Sequence, residues 1–79
     1  GIGRKMHEDP EVPNYFTGRR GPRLEPGMAL AIEPMITLGS PDICLDENQW
    51  TVSTIDKKPA AHYENTTILT KNGLEILTL

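Results

Sequence analysis

The sequence predicts a chain of short, mostly antiparallel β-strands joined by long loops, and three observations carry that prediction. Pro10, Pro13, Pro22 and Pro26 fall within the first 27 residues and leave no room there for a long helix. Further along, β-branched and apolar residues occur in short runs, some alternating with a period of two. Asn72-Gly73, the strongest hairpin signal in the chain, stands between two such runs.

Taken in order, residues 1–27 read as loop and turn, with Gly18, Gly21 and Gly27 as further turn positions. Residues 28–36 follow as Met-Ala-Leu-Ala-Ile-Glu-Pro-Met-Ile. In an extended strand, Met28, Leu30 and Ile32 share one face and Ala29, Ala31 and Glu33 the other. A short helix over residues 28–32 fits the same letters, but Pro34 disfavours its continuation, so strand is preferred. Residues 39–49 are polar and read as a loop. Residues 50–55, Trp-Thr-Val-Ser-Thr-Ile, are a strand by composition, and residues 56–59 a turn. Residues 62–70 form another strand, which the Asn72-Gly73 turn joins to residues 74–79. No amphipathic helix, internal repeat or low-complexity tract is visible.

Composition narrows the function classes. A chain of 79 residues is one small domain or part of a larger one, and a core of this size is marginal. Its apolar fraction is 37%, below the usual level of about 45–50%, and one Trp, two Tyr and one Phe supply few large anchors. The net charge of −3 argues against direct nucleic-acid binding. Arg19, Arg20 and Arg23, set among Gly18, Gly21 and Pro22, read as a solvated loop rather than a phosphate-binding patch. Cys44 is the single cysteine, so no internal disulfide can form, which is compatible with a reducing cytosol. No stretch has the length of a membrane-spanning helix and no signal peptide is visible.

Three places could carry chemistry. His7 lies in a turn beside Glu8 and Asp9, where it is either solvated or functional. Glu33 sits among Leu30, Ile32, Met35 and Ile36. It is either on the solvent face of an edge strand or, as buried carboxylates require, paired or metal-bound. His62 and Glu64 are two apart, which puts both on one face of a strand. A metal ligand with a neighbouring substrate contact and a plain polar face would look the same.

The order of motifs goes further. Gly1-Ile2-Gly3, His7-Glu8-x-Pro10, Pro26-Gly27-Met28 leading to Ile32-Glu33-Pro34-Met35, Trp50-Thr51-Val52 and Tyr63-Glu64-x-Thr66 follow one another almost from end to end. Together they resemble the C-terminal half of bacterial-type (type I) methionine aminopeptidases. The resemblance implies the α/β (α+β) pita-bread fold, with residues 1–79 as the C-terminal half of a metallopeptidase domain. It implies removal of the initiator Met from nascent proteins in the cytoplasm by a dinuclear centre of two divalent ions (Co, Mn, Fe or Zn). The ligands in the family are two Asp, one His and two Glu, and the ions acidify the attacking water.

Carried over residue by residue, Glu33 matches a ligand that also helps as general base, and Glu64 matches the Glu that bridges both ions. His7 matches the second His of the family's Gly-His-Gly-Ile-Gly-x-x-x-His motif, which contacts the substrate carbonyl and stabilises developing charge. Met6 and Trp50 match walls of the methionine pocket, and His62 falls beside the substrate, where many members have Gln. The chain departs from the pattern as well. It begins just after the ligand His and lacks the two Asp, so two of five ligands are present and the chain alone is expected to be inactive. Asn65 stands where many members have His, and Asp46-Glu47-Asn48-Gln49 replaces the usual Asp-Gly before Trp50.

The partners implied are a peptide or nascent chain beginning with Met, the ribosome, and either a complementary N-terminal half or a second copy. Apolar surface from Met28, Leu30, Ile32 and Ile68 is expected to drive that association. No membrane partner is indicated. Two other readings share the motifs. An Xaa-Pro aminopeptidase or prolidase has the same Gly-Ile-Gly and His-Glu-x-Pro runs, but Trp50-Thr51-Val52 and Met35 after Pro34 favour the methionine enzyme. A non-catalytic pita-bread binding module would have no need to keep both Glu33 and Glu64.

Overall fold

The computed structural model describes all 79 residues, with seven strands and no helix. They are β1 (Ala29–Ile32), β2 (Met35–Thr37), β3 (Ile43–Leu45), β4 (Val52–Thr54), β5 (Ala60–His62), β6 (Asn65–Thr70) and β7 (Gly73–Ile76). Every pairing is antiparallel: a three-stranded sheet β1-β6-β7 and two two-stranded ribbons, β2-β5 and β3-β4. The chain divides into two compact units, residues 1–33 with 64–79, and residues 34–63.

The first unit is built on β6. Its register with β1 pairs Ala29 with Ile68, Leu30 with Thr67, Ala31 with Thr66 and Ile32 with Asn65. Leu30 is the buried core side chain at 2% exposure, and Thr67 opposite it is buried too. A buried hydroxyl needs a partner, and Thr67 Oγ1 donates to the Leu30 carbonyl at 3.0 Å. Pro10 from the N-terminal loop is the third buried residue here. Leu30 is therefore not the exposed residue expected above, and Met28, Ile32 and Ile68 are half-buried. In the second unit Met35, Ile36, Leu38 and Trp50 stand exposed instead.

Four further sequence expectations are corrected. The strand expected over residues 28–36 is interrupted at Glu33-Pro34, because Pro34 has no N–H to donate to a ladder. Residues 62–70 break at Tyr63-Glu64 for the same reason: Tyr63 N still donates to Pro34 O at 3.4 Å, but nothing can return from Pro34. The loop expected over residues 39–49 contains β3, which closes on β4 by pairing Ile43 with Thr54 and Leu45 with Val52. Period-two alternation over only Ile43–Leu45 is too short to stand out in a polar stretch. The hairpin at the end of β6 is shifted by one residue. Lys71 and Asn72 form the loop, and Gly73 pairs with Thr70.

In the second unit the Asp56 carboxylate ties two turns together. It accepts from Ser40 N at 2.7 Å and Lys58 N at 3.1 Å. These two backbone bonds, that from Ser40 first, hold its pKa below the ordinary value of 3.8. Any side chain at Gly39 would meet that carboxylate.

Because one leucine carries the core of the first unit, Leu30→Ala is expected to destabilise the chain by about 2–5 kcal/mol in urea unfolding. A loss below about 1 kcal/mol would show that the core lies elsewhere.

Candidate metal and peptide site

The candidate residues start from the register of β1 and β6. One step beyond the pair Ile32 and Asn65, the same antiparallel register sets Glu33 opposite Glu64. Both belong to the first unit. Leu69 N donates to Met28 O at 2.9 Å, so Met28 and Leu69 are a hydrogen-bonded pair, and pairs alternate in type from there. Odd-numbered residues of β1 thus sit at non-hydrogen-bonded positions, and Glu33 follows in phase. At such positions the Cα atoms approach to about 4.5 Å and the side chains lie closer than at the neighbouring pairs. Like charges directly opposite each other are unfavourable in a sheet. A divalent cation would reverse the sign of that interaction, and carboxylate oxygens are suitable donors for it.

The same phase turns the backbone groups of Ala29 and Glu33 outward, away from β6. Both outward carbonyls are used by the N-terminal segment: Ile2 N donates to Ala29 O at 3.0 Å, and Asn14 Nδ2 donates to Glu33 O at 3.1 Å. Between these anchors the chain closes a loop in which Gly1 N donates to Pro10 O at 2.6 Å and Lys5 N to Glu8 Oε2 at 2.7 Å. The loop is tight enough that a Cβ at Gly1 would meet the Asp9 carbonyl, and one at Gly3 the Glu8 carboxylate. His7 and Met6 ride on this loop. His7 lines an open concavity with Gly3, Arg4, Lys5, Glu8 and Asp9, and Met6 is 86% exposed.

On the other side of β6, Thr66 N donates to Thr78 Oγ1 at 2.9 Å, and that hydroxyl donates to Asn65 Oδ1 at 3.0 Å. Asn65, next to Glu64, is thus tied to the end of the chain.

The remaining candidates belong to the second unit. His62 is exposed and pairs with Met35 across β5 and β2. Trp50 stands at the tip of the β3-β4 hairpin, 82% exposed. The tip is built by Asn48, whose Oδ1 accepts from Trp50 N at 3.0 Å and Thr51 N at 2.8 Å. Residues 46–51 therefore make an ordered tip. Asn14 and Thr78 carry no chemistry by type, and no signal in the sequence marks them.

No group of three or more His, Cys, Asp or Glu side chains gathers in the chain. A catalytic site usually draws three ligands from the protein, so the Glu33–Glu64 pair is a partial donor set.

The profile described as Metallopeptidase family M24 matches residues 1–71. The chain belongs to this family. A methionine aminopeptidase from Clostridium perfringens is 58% identical over the whole chain, which corresponds to 32% of that protein's length. A methionine aminopeptidase 1 from Bacillus subtilis is 49% identical over 99% of the chain, which covers 32% of its length. The solved methionine aminopeptidase from Thermotoga maritima superposes with a TM-score of 0.91 at 49% identity, over 99% of this chain and 31% of that one. This family member is thus a strand portion of the pita-bread fold and spans about a third of the length of the curated relatives it matches.

Two carboxylates alone make a weak site. Calorimetric titration of the 79-residue chain with Mn²⁺ or Co²⁺ is therefore expected to show weak or no binding. Tight uptake of two ions per chain would mean that other residues assemble a centre.

Proposed function

We propose that residues 1–79 are the C-terminal half of a metallo-aminopeptidase domain that removes Met from the N-terminus of peptides and nascent chains. The observation that carries this reading is the opposed Glu33–Glu64 pair at the end of the β1-β6 ladder, in an M24-family chain whose near relatives are named methionine aminopeptidases. The other ligands come from the rest of a protein of the relatives' length, and this chain without them is inactive. The enzyme works in the cytoplasm, near the ribosome, where such N-termini first appear.

Glu33 and Glu64 would contribute carboxylates to a centre of two divalent ions of the Mn, Fe, Co or Zn class. When bound, the ions supply Lewis acidity that lowers the pKa of the attacking water. Glu33 would serve as the base that receives that water's proton and passes it to the departing amine nitrogen as the C–N bond breaks. His7, on its anchored loop, donates a hydrogen bond to the substrate carbonyl oxygen as negative charge grows there. The resemblance assigns Met6 and Trp50 to recognition of the substrate's Met side chain, and His62 to contact with the peptide.

In the full-length protein, Glu64→Ala is expected to lower cleavage of a Met-Ala-Ser peptide by more than about 100-fold, above the loss typical of groups that only orient ligands. Glu75→Ala, on the exposed strand β7, serves as the control with unchanged rate. Unchanged cleavage in Glu64→Ala would rule the assignment out.

A further inference from the structure

We propose that Asn48 is a positioning residue for Trp50 and thereby a determinant of the preference for an N-terminal Met; the inference rests on the reading above that Trp50 takes part in recognition of the Met side chain. Trp50 lies at the tip of the β3-β4 hairpin, where its side chain is 82% exposed. Neighbouring side chains therefore do little to aim it. The backbone at Trp50 sets the direction of Cα–Cβ and the rotamers open to the ring. Backbone bonds frame the tip: Asp46 N donates to Thr51 O at 2.8 Å, and Gln49 N to Asp46 O at 3.0 Å. Neither touches the two peptide groups that flank the Trp50 Cα.

The Asn48 carboxamide takes hold of both. Its oxygen accepts from Trp50 N at 3.0 Å, in the peptide before that Cα, and from Thr51 N at 2.8 Å, in the peptide after it. An amide oxygen has two lone pairs, so one atom can serve both donors. The amide nitrogen donates to Thr51 Oγ1 at 2.7 Å, which keeps the oxygen turned toward the backbone. These bonds reach across Gln49, whose φ of 59° lies in the left-handed region that a glutamine seldom takes. Return of Gln49 to the right-handed region would swing the chain entering Trp50 and carry the indole with it. Asn48 opposes that return, so the aromatic face is presented in one direction before substrate arrives.

The test is steady-state cleavage of a Met-Ala-Ser peptide by the full-length protein. Asn48→Leu keeps the size of the side chain without its acceptor. It is expected to raise KM about 10-fold, the low end for a changed apolar pocket. Its kcat is expected to stay within about two-fold, because a pocket wall binds ground and transition states alike. Asn48→Asp keeps an acceptor oxygen in the same place and is expected to restore KM to within about three-fold. Asn48→Leu added to Trp50→Ala is expected to raise KM no more than about two-fold over Trp50→Ala alone, since nothing is then left to position. The proposal is overturned if Asn48→Leu leaves KM unchanged or lowers kcat in its place, or if Asn48→Asp is as poor as Asn48→Leu. It is overturned equally if the two losses multiply in the double variant, as a general weakening of the fold would make them. Trp50→Ala separates the two levels. Unchanged KM there would remove the pocket reading of Trp50 itself, whereas a raised KM there with a silent Asn48→Leu would remove Asn48 alone.

Discussion

The register between β1 and β6 is the constraint on which the rest depends. It places Leu30 against Thr67 in the buried layer and, three residues further along β1, Glu33 against Glu64. A slip of one residue would exchange the faces, turning Leu30 outward and separating the two carboxylates. Core and candidate site are therefore set by the same pairing. The Thr67 hydroxyl, which donates to the Leu30 carbonyl inside the core, favours that register over its neighbours.

Pro34 adds the second constraint. The proline cannot donate to the opposing segment, so the β1-β6 ladder ends at Ile32 and Asn65, and the outward Glu33 carbonyl accepts from Asn14 Nδ2. The opposing segment is fixed in a different way, through Thr78 bonding to Asn65 and Thr66 beside Glu64. Each carboxylate thus lies next to the end of a strand, and a polar residue of another segment bonds at or beside it. The N-terminal loop is drawn tight at Gly1, where a Cβ would meet the Asp9 backbone.

Much of this was legible in the sequence. The prolines ruled out helices, and alternation in residues 28–32 correctly separated Leu30 from Ala29, Ala31 and Glu33. The family was legible too, because its motifs are contiguous and ordered. What escaped was tertiary. Strand β3 is only three residues long, so its alternation is lost among polar neighbours. The breaks at Pro34 and Tyr63-Glu64 depend on which residue faces the proline across the pair. The bond from Asn14 to Glu33 crosses a proline-rich stretch whose path no local rule predicts. Leu30 was expected to be exposed because the strands of this family pack on elements absent here; it is buried all the same, with Thr67 opposite it.

The most direct measurement of the central claim is a crystal structure of the full-length protein grown with Mn²⁺, with the ions located by anomalous scattering. The account predicts carboxylate oxygens of both Glu33 and Glu64 on one common ion, at distances of about 2.0–2.3 Å. Ions bound only elsewhere, with none shared by Glu33 and Glu64, would contradict it.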